Sequence, residues 1–205
     1  EKIQQSQRVE DYMNYEVMNN MIDYEPDFDQ LLFYLPLAGS AFKKIYYDEV
    51  EGKAVSKFVP ADDLVVPYTA TSLDDAESII HMVRMSENDL RKQQVGGFYR
   101  DIDLTPGSQN ESEAEKKERE LAGETKTKDA NVFTLLEFHT ELDLEGFEDV
   151  GPEGEPTGIK VPYVVTIEES SREILSIRRN YEIGDVKKKK IQYFVHFKFL
   201  PGLGF

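Results

Sequence analysis

The chain has 205 residues, 40% of them hydrophobic and 11% aromatic, which supplies a packed core for one domain, or for a domain with a smaller appendage. Its formal net charge of -16 makes the isolated chain repel nucleic-acid phosphates except at a local basic patch, and disfavours anionic membrane surfaces in the same way. With no cysteine there can be no disulfide, thiolate metal centre or cysteine nucleophile, and no apolar run is long enough to span a bilayer.

Val9, Met13, Val17 and Met21 recur every four residues with Tyr12 beside them, and predict an amphipathic helix over about residues 1–22 whose stripe must pack on something. Pro26 and Asp27 start a second helix. Phe28, Leu31, Leu32 and Leu35 give it one apolar face up to Pro36, and Gly39 and Ser40 end or bend it. From Ala41 the passage "AFKKIYY" reads as a strand, and "DEVEGK" places Gly52 where a hairpin needs it before the strand "AVSKFVP". In the small-residue run Ala38 to Ala41, side chains of this size permit a close backbone approach as helix hands over to strand. Pro60 and Pro67 bracket "ADDLVV", an extended segment suited to a sheet edge because proline donates nothing to a ladder. "SIIHMVRM" predicts a strand. Ser86 with Asp89 resembles a capping box opening the helix "ENDLRKQQV", which Gly96 and Gly97 close.

The tract 101–131 is rich in Glu and Lys and reads as a flexible linker or loop, or as a short solvated helix. Beyond it "NVFTLLEFHTELDLE" alternates as a long strand, with Val132, Thr134, Leu136 and Phe138 on one face. The insert "GFEDVGPEGEPTG" is turn-rich, and "IKVPYVVTIEE", "ILSIRRNYEI" and "IQYFVHFKFL" follow as strands joined by polar turns. The expected class is α+β: N-terminal helices with a small mixed or antiparallel sheet, then an antiparallel β-meander. Residues 1–100 form the helix-rich part, 101–131 the linker and 132–205 the β part. The first residue is Glu, and the end "FKFLPGLGF" is too apolar for a solvated tail, so the chain is expected to be a piece of a longer protein.

Chemistry-bearing residues are scattered. His81, His139 and His196 each fall inside a predicted strand without a neighbour at metal-ligand spacing, and are expected to be structural. Asp101 with Asp103, and Glu141 with Asp143, alternate on strand faces and could form a two-carboxylate metal site, although in so acidic a chain a solvated surface accounts for them. "LPGLGF" lacks the basic residue and the following helix of a phosphate loop. No catalytic, cofactor or metal site is expected. Lys187, Lys188, Lys189 and Lys190, with Arg178 and Arg179 nearby, form a candidate polyanion contact whose plainer reading is a solvated hairpin tip.

Taken together, "LLFYLPLAGSAFKKIYYD", "FVPADDLVVPY", "RMSENDLRKQQVGGFYRD" and "VHFKFLPGLGF" resemble the portal protein of short-tailed, double-stranded DNA bacteriophages. The segments occur in the family's order from about Leu31 onward, while the tract 101–131 and the insert "GFEDVGPEGEPTG" contribute nothing. The resemblance implies a non-enzymatic structural subunit, usually of a dodecameric homo-oligomeric ring, at one vertex of the capsid in the virion. Double-stranded DNA is packaged and ejected through such a ring. Its implied partners are the terminase packaging motor, the major capsid protein and scaffold, and the tail adaptor, with no membrane. The chain resembles the outer wing, with stem, clip and crown outside it. Two other readings stand beside this one: a metal-dependent phosphodiesterase using Asp101, Asp103, Glu141 and Asp143, and a monomeric β-rich binding module.

Overall fold

The computed structural model describes residues 2–48, 52–105, 132–151 and 154–200. The fold is α+β, with N-terminal helices and two antiparallel sheets. Helix α1 (Lys2–Tyr15) runs into one widened turn, Glu16–Asn20, where the Met21 N–H bonds back five residues to the Glu16 carbonyl at 3.0 Å. The expected single helix over 1–22 is thus shorter and irregular at its end. No residue of α1 is buried: of the predicted stripe Val9, Tyr12 and Met13 are exposed, and only Val17 and Met21, beyond the helix, are half-buried.

Helix α2 (Tyr24–Ala38) ends at Gly39, whose φ of +76° puts it in the left-handed region that closes helices without a Cβ penalty. The sequence expectation attributed the small residues here to close backbone approach, and at Gly39 that reason is corrected. A Cβ there meets nothing within 4 Å, so glycine serves its torsion angle. At Ala41, which is fully buried, small size does matter.

Strand β1 (Ser40–Asp48) pairs antiparallel with β2 (Lys53–Pro60) and, on its other side, with β8 (Phe194–Lys198). The second sheet has the order β3 (Leu64–Val65), β4 (Ser78–Ser86), β5 (Val132–Leu142), β6 (Val161–Glu168), β7 (Ile174–Arg179). The segment "ADDLVV" is only half extended: Ala61–Asp63 form a 3-10 turn before β3 takes the sheet edge. Helix α3 (Glu87–Val95) opens on Ser86, whose hydroxyl accepts the Asp89 N–H at 3.2 Å. The meander expected after residue 131 holds through β5, β6 and β7, but β8 leaves it to pair with β1.

Alternation along β1 sets the layers. Ala41 and Lys43 face α2, whereas Phe42 and Lys44 face the five-stranded sheet. Phe42, Val59 and Phe194 meet Leu64, Leu73, Ala76 and Ile79 in the core between the sheets. Further along the same face of the larger sheet, Phe133 and Leu135 pack with Leu90, Tyr99 and Leu175 beneath α3. The opposite face carries Val161, Tyr163 and Val165 with Phe138 and Leu142. Pairing of β4 with β5 runs from Ser78↔Thr140 to Ser86↔Val132 and joins the chain before residue 106 to the chain after 131 in one sheet. The tract 106–131 itself lies outside the described residues.

Candidate functional site

Between the two sheets lies a polar group that the sequence reading missed. Lys44 Nζ donates to both carboxylate oxygens of Glu137 at 2.7 Å, and His139 Nε2 lies 2.6 Å from Glu137 Oε1. Their positions follow from register. His81, Glu137, Thr166 and Ser176 stand opposite one another across β4, β5, β6 and β7, and His139 sits two residues from Glu137 on the same face. From the other sheet, Phe194 closes over His81 and His139 with edge-on rings 5.5 and 5.1 Å away. Burial raises the Glu137 carboxyl, but the Lys44 charge and the His139 bond outweigh it and hold Glu137 well below the usual carboxylate range. Burial and the Lys44 charge push His81 down to about 3, so its ring stays neutral.

Lys44 neutralises Glu137 and ties β1 to β5 between the two sheets, and among the described residues no group of three or more His, Asp or Glu side chains could hold a metal ion. The signal was present in "EFHTE", where Glu137 and His139 share a strand face, but the partner lysine is a long way off in sequence. His196 is placed differently. It stacks on Phe42 at 4.5 Å and lies 2.6 Å from the Ser40 hydroxyl, beside a shallow groove lined by Ser72, Asp74, Gln192 and Lys198.

The four carboxylates considered for a metal site do not converge with other ligands among the described residues. Asp101 pairs with Arg91, and Asp103, Glu141 and Asp143 are exposed. Lys43, next to Lys44, is buried against α2 with its ammonium 4.4 Å from the Tyr24 ring centroid and 5.2 Å from that of Phe28.

The four lysines of the basic turn divide by role. Lys188 is ion-paired with Asp149, and Lys190 donates to the Ala76 carbonyl at 3.0 Å. Lys187 and Lys189 are exposed, and their backbone N–H groups each donate to the Asp185 carboxylate at 3.0 Å. Arg178, named beside them in sequence, sits over Phe98 with its guanidinium carbon 3.6 Å from the ring centroid and donates to the Phe98 carbonyl. Among the described residues no helix is long and apolar enough to cross a membrane. No protein-family model matches the sequence, and no curated protein matches it.

Proposed function

We propose that the chain is a structural subunit of the portal ring of a short-tailed, double-stranded DNA phage, contributing part of the wing and no enzymatic chemistry. The observation that carries this reading is the set of four segments resembling that family. Three of them, two neighbours in sequence and one distant from both, contribute to the three strands of one sheet, with β1 from "LLFYLPLAGSAFKKIYYD", the end of β2 from "FVPADDLVVPY" and most of β8 from "VHFKFLPGLGF". Segments that share a folding unit share constraints, so their joint resemblance weighs more than four separate likenesses.

Two features support assembly. The fold uses the buried Lys43 against α2 and the half-buried Lys44–Glu137 pair between the sheets to hold layers together, and its exposed helix α1 carries Val9, Tyr12 and Met13 to solvent. A closed ring requires a head-to-tail contact made by two different patches on each subunit. In this reading its partners are its own copies, the terminase motor, the coat protein and scaffold, and the tail adaptor, and duplex DNA passes through the complete ring. A body of net charge -16 suits a conduit that must not adhere to its cargo.

The test is negative-stain electron microscopy of the whole gene product beside the 205-residue chain. Closed rings with a central hole are expected from the whole product. Uniformly single particles would remove the reading and return attention to a monomeric binding module. A nuclease assay of the folded chain with magnesium or manganese is expected to be blank, and metal-dependent cleavage that Asp101→Asn or Glu141→Gln abolishes would establish the phosphodiesterase instead.

A further inference from the structure

A helix of about 15 residues is marginal in water on its own and takes most of its stability from an apolar face packed on something else. Helix α1 has fourteen residues, none buried, and exposes Val9, Tyr12 and Met13 at i, i+3 and i+4 spacing. The charges on and just beyond its second half are negative, Glu10, Asp11 and Glu16, while Lys2 and Arg8 lie in its first half. This surface asks for a partner that is apolar and basic.

The chain displays such a surface elsewhere. In the loop after β7, Ile183 and Val186 are 89% and 95% exposed, and the exposed charges between Ile183 and Lys189 are those of Lys187 and Lys189. The loop is held firmly in that display. Asp185 ties the Lys187 and Lys189 backbone, Lys188 is fixed to Asp149, and the Ile191 N–H donates to the Asn180 carbonyl at 3.0 Å. Lys188 is even kept at φ +46°, a region costly to a residue with a Cβ. Two aliphatic side chains on a tied loop, with the exposed Glu182 before Ile183 and Lys187 and Lys189 beyond Val186, form a preorganised receptor whose basic end lies at Val186, because little ordering remains to oppose binding.

We propose that the second half of α1 in one copy docks on the Ile183–Lys189 loop of the next copy. The two patches differ, so the contact is head to tail and repeats from copy to copy. The inference deepens the ring reading and rests on it only for closure. Val9, Tyr12 and Met13 meet Ile183 and Val186, with Glu10 and Glu16 opposite Lys187 and Lys189, and added salt weakens the contact.

The absence of native cysteine permits a clean test in the full chain. Met13→Cys is placed in one batch and Val186→Cys in another, and a short bismaleimide is added to each batch alone and to the mixture. Cross-linked dimers are expected only in the mixture, and a ladder of higher species from a chain carrying both cysteines. Dimers from Met13→Cys alone would mean that α1 pairs with α1, and closure within one doubly substituted chain would mean that it folds back on its own loop; either overturns the proposal. Glu10→Lys with Glu16→Lys in the first batch, or Lys187→Glu with Lys189→Glu in the second, should each cut the mixed yield about tenfold. Both reversals together should restore it. No residue of α1 is buried, Glu16 just beyond it gives up only a hydrogen bond from Asn20, and the two lysines are tied to Asp185 through backbone atoms, so circular dichroism of all variants should match the parent. If the lysine reversal leaves the yield intact and abolishes binding of a duplex oligonucleotide, the loop is a polyanion site and the inference falls. Rings from the whole gene product without the cross-link would discard this contact and keep the ring; the cross-link without rings would keep the contact and discard the ring.

Discussion

Lys44 of β1 and Glu137 of β5 lie in different sheets, yet the ammonium sits 2.7 Å from both carboxylate oxygens, and the two side chains are only 12% and 14% exposed. A pair removed from water to this degree makes a poor stabiliser relative to a well-packed apolar pair, but it penalises the loss of either member strongly. Glu137→Ala is therefore expected to cost about 3–5 kcal/mol, whereas Lys44→Met with Glu137→Met together should be close to neutral or stabilising. Urea denaturation of the three proteins checks this. If Glu137→Ala costs under about 1 kcal/mol, in the range of exposed pairs, the bridge is solvent-screened and does not lock the sheets.

His81 gives the chain an acid sensitivity of definite sign. Its folded pKa of about 3 lies below the ordinary histidine value, so the unfolded chain binds the proton more readily. The stability due to the neutral ring is complete above about pH 6.5 and is lost as pH falls toward 3, at up to about 1.4 kcal/mol per pH unit. Glu137, depressed, adds its own loss as pH falls through the ordinary glutamate value and below. Between pH 6.5 and 5, His81→Leu should flatten the slope of unfolding free energy against pH. An unchanged slope would place the sensitivity elsewhere.

At Gly39 the two explanations for a glycine separate. Because φ is +76° and the space beside it is open, Gly39→Ala should cost about 1–2 kcal/mol through torsion alone. Gly39→Asn should cost less, since asparagine tolerates the left-handed region better. Thermal melts of both variants rank them, and equal losses would argue for a steric cause.

Ser86→Ala removes the hydroxyl that accepts the Asp89 N–H and should cost about 1 kcal/mol. Ser86→Asp should restore most of it, and denaturant midpoints of the pair measure the difference. A null effect of Ser86→Ala would mean that α3 is held by Leu90 packing against Phe133 and Leu135 and not by its cap.

What could be read from the sequence was local. The helix stop at Gly39, the Ser86 cap, the hairpin glycine at 52 (φ +67°) and the strands β1, β4 and β5 all announce themselves within a few residues. Pairing across distance did not. In β5 the more buried face is Phe133, Leu135, Glu137 and His139, and two apolar residues followed by two polar ones dilute its signal. The face picked out by alternation, Val132 to Phe138, is the more open one. The lysines were equally opaque. Adjacent in "AFKKIYY", they point to opposite sides of a strand, one into rings of α2 and one into Glu137, and nothing in the dipeptide distinguishes them from a solvated pair. The basic turn looked uniform because sequence does not reveal that Asp149 and the Ala76 carbonyl engage two of its four ammonium groups.

The place of β8 beside β1 has a consequence for how the chain is made. Ser40 and His196, hydrogen-bonded across that seam, stand 156 positions apart. During synthesis the β1–β2 hairpin emerges early, while Phe42 lacks part of its cover until Phe194 and His196 leave the ribosome. The three-stranded sheet is thus the last part of the body to close. An interrupted or prematurely released chain would present an open strand edge next to an apolar face, the form in which a nascent protein most needs a chaperone.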